Sequence, residues 1–179
     1  MNKIGSGFLP IFIIMILSFV ILAQWDNGIV LKNYINPIFN PTFGLLLHLN
    51  LSLGMTFLVL IITLITTLIQ KYTTDQKELK SIKEEQKSLQ EEMKKYKDNP
   101  KKIEELTKKN MELVSKTFKI TSKPLLITGI PFILLYRWFN DYFLSINNQK
   151  IFGIISWIWF YLIASIIFSS ILRKVFDVY

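Results

Sequence analysis

The sequence contains no cysteine and a single histidine, His48. Without thiols there is no disulfide, no zinc–thiolate centre and no thiol redox chemistry. One imidazole at a hydrophobic boundary is more readily an interfacial residue than a metal ligand or catalytic base. Only seven glycines are present, and none opens a phosphate-cradling loop. No nucleophile–base pair, metal-ligand cluster or buried acidic pair stands out either. These absences argue against an enzyme, a metal and a bound cofactor. Charge is missing too from long stretches: neither 8–23 nor 43–70 holds an Asp, Glu, Lys or Arg.

What is present is apolar. Of 179 residues, 51% are hydrophobic, with 14 Phe. The charge is confined: residues 71–123 hold 15 of the 21 Lys and Arg and 10 of the 13 Asp and Glu. That distribution describes a membrane protein with one polar excursion. The net charge of +8 favours a partner rich in phosphate, whether nucleic acid, a ribosome or anionic lipid heads. Lysine that simply keeps a loop cytoplasmic explains it equally well.

Within 71–123 the apolar residues keep three- and four-residue spacings: Leu79, Ile82, polar Gln86, Leu89, Met93 and Tyr96. They form one helical stripe, as in a coiled-coil seam. Asp98-Asn99-Pro100 stops that helix, and Pro100 opens the next at a position where a missing N–H costs nothing. The rhythm restarts through Ile103, Leu106, Asn110, Leu113, Thr117 and Ile120. An antiparallel hairpin follows, with layers Tyr96–Ile103, Met93–Leu106, Leu89–Asn110, Gln86–Leu113 and Leu79–Ile120. The alternatives are one long bent helix or a solvated linker. The second arm carries a further apolar edge, Met111, Val114 and Phe118, suited to burial against lipid or to contact with a hydrophobic client.

Four apolar segments flank the hairpin. Residues 8–23, after Lys3, read as an uncleaved signal anchor, with 25–42 as a short external segment in which Trp25 and Tyr34 suit the interface. Residues 43–70 form a long first core span. Its Ser52, Thr56, Thr63, Thr67 and Gln70 share one face. That face either packs on a neighbouring helix through self-bonded hydroxyls or lines a solvated groove. Gly54 allows close packing. Residues 124–144 form a span kinked at Pro131. Arg137 there either snorkels beside Trp138 and Tyr142, within i,i+4 reach of Asp141, or faces a watery cavity. After the external turn 145–150, residues 151–172 form the last span, with Ser165, Ser169 and Arg173 on one face. The boundaries expected are 1–42 for anchor and external segment, 43–70 for the first core helix, 71–123 for the hairpin, and 124–179 for two more core helices and a tail. Lysine density places the hairpin and both ends in the cytoplasm.

The order of parts is a span, a basic helical hairpin with Asp98-Asn99-Pro100-Lys101-Lys102 at its tip, Lys123-Pro124 entering the next span, Ile130-Pro131 within it, and a last span with Trp157–Phe160 ending Ser169–Lys174. It resembles the archaeal YidC-like proteins, of the superfamily of YidC, its mitochondrial relatives and the third subunit of the ER membrane protein complex. The likeness covers 43–179. It implies an all-α membrane protein with three core transmembrane helices, an N-terminal hydrophobic anchor and a cytoplasmic antiparallel hairpin, multi-pass in the plasma membrane. It implies an insertase that guides weakly hydrophobic or short-tailed clients through a polar intramembrane groove. Thr56, Thr63, Thr67, Gln70, Arg137, Ser165, Ser169 and Arg173 would serve the groove. Lys94, Lys95, Lys97, Lys101 and Lys102 would meet ribosome or client, and Met111, Val114 and Phe118 would touch the client. The implied partners are membrane lipid, nascent or newly made membrane proteins and the ribosome, with a small membrane partner subunit as a further candidate. The competing readings are a ribosome- or partner-docking scaffold without insertase activity and, further off, an ion channel, for which the spans offer few filter groups.

Overall fold

The computed structural model describes the backbone of 5–27 and 29–179 and the side chains of 12–25 and 32–179; Lys3 and Gly28 lie outside the described residues. The elements are α1 (Gly5–Asn27), α2 (Ile29–Phe39), a π-helical turn (Asn40–Gly44), α3 (Leu45–Leu49), α4 (Leu51–Thr73), α5 (Gln76–Lys95), α6 (Pro100–Ser145) and α7 (Trp157–Phe176). Three of them, α4, α6 and α7, are long and apolar enough to cross a membrane, and the apolar stretch Phe12–Trp25 of α1 is shorter. The fold is the expected all-α membrane architecture. In it α4 packs on α7 and α6, and α1 packs along α6. Ile14 of α1 lies against Gly129 of α6.

The first core span is shorter than the apolar run 43–70 suggests. Asn50 leaves the helical region (φ −159°, ψ 115°) and caps α4, its side chain accepting from the Leu53 N–H at 3.0 Å. Residues 45–49 therefore form a separate short helix that folds back on α4. Gly54 makes that elbow possible: a Cβ there would sit 2.3 Å from the Leu46 carbonyl oxygen.

The last span likewise begins at Trp157, not Ile151. The apolar Ile151–Ile155 segment closes a tight turn through an isolated bridge. Asn147, Asn148, Phe152 and Gly153 all take positive φ. Such a conformation is strained for Phe152, and the Ser52 hydroxyl holds it by accepting the Phe152 N–H at 2.7 Å.

Helix α6 continues without a break across 123/124, so the second hairpin arm and the middle span are one 46-residue rod containing Pro124 and Pro131. Proline is tolerated where neighbouring helices and hydroxyls satisfy the loosened backbone. Here α5 grips one end of the rod and α1 and α4 the other.

Two apolar cores result. In the hairpin, Ile82, Leu89 and Met93 of α5 cluster with Leu106, Leu113 and Ile120 of α6. Asp75 and Asn99 cap the two arms. At the opposite end of the bundle an aromatic core gathers Trp25, Trp138, Phe139, Phe143 and Trp157 around Met55 and Leu58. Trp25 and Trp138 are thus core residues, 1% and 2% exposed, and not the interfacial belt their positions suggest. Their indole N–H groups are satisfied inside, by Asp141 at 2.9 Å and Asn40 at 2.8 Å.

Candidate functional site

The polar face of α4 divides in two. Toward its start, Ser52 anchors the 151–155 turn, and Thr56 donates to the Ser52 carbonyl at 2.8 Å. Thr63 and Thr67 are buried, 4% and 3% exposed, and spend their hydroxyl protons on the carbonyls of Val59 and Thr63. Toward its end, α4 contributes Thr66, Thr67 and Gln70 to a cleft of about 270 Å³. Helix α6 adds Thr121, Pro124, Leu125 and Thr128, and α7 adds Ser169 and Arg173. Four of the eight residues assigned to the groove from sequence therefore meet: Thr67, Gln70, Ser169 and Arg173. Thr56, Thr63, Ser165 and Arg137 do not line this cleft. Arg137 stands about 13 Å further along α6 than Thr128. Ser165 is half-buried and donates to the Leu162 carbonyl at 2.9 Å.

Sequence reasoning missed Thr66, Thr121 and Thr128. The last two were findable, because Thr121, Leu125 and Thr128 are spaced by four and three on one face. They were hidden by a boundary drawn at 123/124 that assigned them to different elements.

The cleft has a definite chemistry. Thr66, Thr121 and Thr128 donate their protons to carbonyls of their own helices, at 2.8 to 3.0 Å. What they present to the cleft is therefore oxygen lone pairs. Its one charge is Arg173, whose Nη2 donates to Gln70 Oε1 at 2.7 Å and whose Nε donates to Ser169 Oγ at 3.2 Å. Neither partner is anionic, so the guanidinium keeps its full charge for a ligand. Such a surface suits water and the polar groups of a polypeptide at the rim of an otherwise apolar bundle.

Just beyond the cleft, the end of α7 braces the α4–α5 turn. Lys71 Nζ sits 5.8 Å from the Phe176 ring centroid. Gln76 Oε1 accepts the Tyr179 N–H at 2.9 Å, and its Nε2 donates to the Gln70 carbonyl and to Thr74 Oγ1. The Lys80 ammonium pKa is raised, first by its hydrogen bond with Tyr179.

At the hairpin tip, Lys94, Lys95, Lys97 and Lys101 are exposed. Lys102 differs. It pairs with Glu105 at 2.9 Å, which raises its pKa, and Glu105 also meets Lys109 at 3.1 Å. Met111 and Val114 are exposed, and Phe118 is half-buried.

Comparison with known proteins adds one match. The family described as integral membrane protein EMC3/TMCO1-like matches residues 36–152, well over half of the chain. No curated protein and no solved structure matches it. The matched region runs from the end of α2 through α4, the hairpin and the whole of α6 into the first part of the α6–α7 turn, and stops before α7. That family lies in the YidC/Oxa-related insertase group. The chain belongs to the EMC3/TMCO1-like integral membrane proteins and is a multi-pass membrane protein of insertase-type lineage.

Proposed function

We propose that the chain is an archaeal YidC-like insertase of the plasma membrane, working with its hairpin and both ends in the cytoplasm. The observation that carries this is the hydroxyl-lined cleft at the hairpin end of the three spans, with an arginine that has no carboxylate in ion-pair contact among the described residues. A charged side chain at the bilayer centre costs roughly 2.5–3.5 kcal/mol on insertion scales. A wet polar path between α4, α6 and α7 shortens the apolar distance a client's polar flank must cross. Burial of the client's own apolar helix then drives the step without nucleotide hydrolysis or covalent chemistry. Nascent or newly made membrane proteins are the clients. The exposed tip lysines meet the ribosome or the client, Met111 and Val114 offer a first apolar contact, and a small membrane subunit completes the lipid-facing side.

Photocrosslinking tests it. The burial of Thr63 makes it unsuitable for a probe. Thr66 lines the cleft, whereas its neighbour Ile65 is 51% exposed on the outer surface of α4. With ribosomes stalled on a short single-span protein, an adduct from Thr66 and not from Ile65 is expected. Adducts at neither site, with ribosomes still bound, would leave the scaffold reading. The four exposed lysines around the tip are the observation that favours that second reading.

A further inference from the structure

A second polar site lies at the end of the bundle opposite the hairpin. On one wall, Asn36, Asn40, Gly44 and His48 recur every four residues along α2, the π-turn and α3; on the other stand Trp138, Asp141, Tyr142 and Ser145 of α6. Together they bound a cleft of about 360 Å³. Asn36 and Asn40 also line an adjoining cleft of about 350 Å³ with Lys32 and Asn33.

The backbone here is unusual. Asn40–Gly44 is a π-helical turn, a rare element found disproportionately at functional sites. Gly44 is buried beneath the Trp138 ring, and the Trp138 indole is fixed on Asn40 Oδ1.

The chemistry of the lining is selective. Asn40 Oδ1 is taken by Trp138, which leaves its amide N–H groups to donate. Ser145 Oγ gives its proton to the Tyr142 carbonyl at 2.6 Å and so presents lone pairs. The His48 ring lies edge-on to Tyr142, with centroids 5.7 Å apart. Asp141 Oδ2 accepts from both Trp25 and Lys32, each at 2.9 Å. Its charge is therefore already balanced, and it is a poor seat for an ammonium group. A mixed set of amide donors and oxygen acceptors with no net charge fits hydroxyl groups. Lys32, 38% exposed along its side chain, gives one N–H to Asp141 and keeps two further donors one cleft away for phosphate oxygens. Ile38, Leu45, Leu49 and Leu144 are each next in the chain to a lining residue (Pro37, Gly44, His48 and Ser145) and are exposed, which offers apolar surface to acyl chains.

We propose that the Asn36/Asn40 ridge and the facing end of α6 form a binding site for a membrane phospholipid with a polyol headgroup, glycerol or inositol, the hydroxyls sitting between Asn36, His48 and Ser145 and the phosphate toward Lys32. The site is independent of the insertase reading and of the Arg173 cleft.

Native mass spectrometry of the full chain in detergent tests it, with equal amounts of phosphatidylglycerol, phosphatidylinositol, phosphatidic acid, phosphatidylethanolamine and phosphatidylcholine. The two polyol lipids should be retained about tenfold more than the other three, as one or two additional hydrogen bonds imply. Asn36→Leu and, separately, Ser145→Ala should each reduce that preference while the melting temperature stays near that of the parent. Phosphatidic acid retained as well as phosphatidylglycerol would mean charge alone is read, and preferential ethanolamine binding would mean an ammonium site; either overturns the proposal. Retention of soluble glycerol phosphate to the same extent would overturn its assignment to a lipid. A preference unchanged in both variants would place the lipid elsewhere.

Discussion

Arg173 Nη2 donates to Gln70 Oε1 at 2.7 Å across 103 residues of sequence, tying the end of α7 to the end of α4. A hydrogen bond to a charged group contributes about 1.5–3 kcal/mol. Both residues are only half-buried, so the lower end of that range applies. Gln70→Leu removes the acceptor and keeps the volume. It should destabilise the detergent-solubilised protein by about 1.5 kcal/mol, seen as a lower melting temperature. Arg173→Ala removes the charge as well and should also reduce client adducts at Thr66. A Gln70→Leu variant with unchanged melting would mean that water replaces the contact.

Gly54 supports a steeper expectation. Its hydrogen faces the Leu46 carbonyl, and a methyl group would overlap that rigid backbone at 2.3 Å. Gly54→Ala must push α3 off α4, at a cost of about 1–3 kcal/mol. The α3–α4 elbow also positions His48, so the variant should loosen the polyol-lipid site while leaving the hairpin intact. Hydrogen exchange separates these outcomes, with faster exchange expected at 45–54 and none gained at 80–115.

How much of this was legible in the sequence depended on whether a local period carried the information. The hairpin seam was readable because Ile82, Leu89, Leu106 and Leu113 repeat at helical spacing and Asn99-Pro100 punctuates them. The spans were readable from apolar length. The elbow at Asn50 was not, since Leu45–Leu49 is as apolar as the helix it precedes and only the Leu46–Gly54 contact sets the bend. The unbroken α6 was hidden by Pro124, a local helix breaker overridden by packing at both ends of the rod. The cleft was half visible, because its α4 and α7 walls were read as faces but its α6 wall straddled an assumed boundary.

The hairpin should behave as a separable unit of packing. Leu106 is 1% exposed in the hairpin seam, at the end nearest the tip. Leu106→Ala is expected to cost about 2–5 kcal/mol, concentrated in α5 and in residues 100–120. Hydrogen exchange in that region should accelerate while the aromatic core around Trp138 and Trp157 stays protected. Equal acceleration in both regions would show that the continuous α6 transmits the loss along its length.

Acid should weaken the same hairpin through Glu105. Its carboxyl is held below the ordinary 4.5, first by the hydrogen bond from Lys102 and then by that from Lys109. A carboxylate depressed in the folded state stabilises above its unfolded pKa and loses that contribution as pH falls through the lower folded value. The pairs are solvent-exposed, so the effect is small. The hairpin's melting temperature should decline as pH drops below about 4.5. In Glu105→Gln that part of the decline should be absent, as circular dichroism at a series of pH values would show.

The tip lysines separate the two functional readings. Lys94, Lys95, Lys97 and Lys101 are exposed, and none belongs to an ion pair among the described residues. Reversing all four to Glu should therefore leave folding intact and abolish any attraction to ribosomal phosphate, an attraction that salt also screens over about 8–10 Å. In a pure scaffold, loss of ribosome binding is loss of function, and the Arg173 cleft is irrelevant. In an insertase the two sites act in series: the lysines raise the rate of encounter, while the cleft lowers the barrier to crossing. A reconstituted vesicle assay with clients released from the ribosome removes the first step. There the lysine-reversed protein should insert at the parental rate and Arg173→Ala should remain slow. Parental insertion by Arg173→Ala in that assay would remove the cleft from the mechanism.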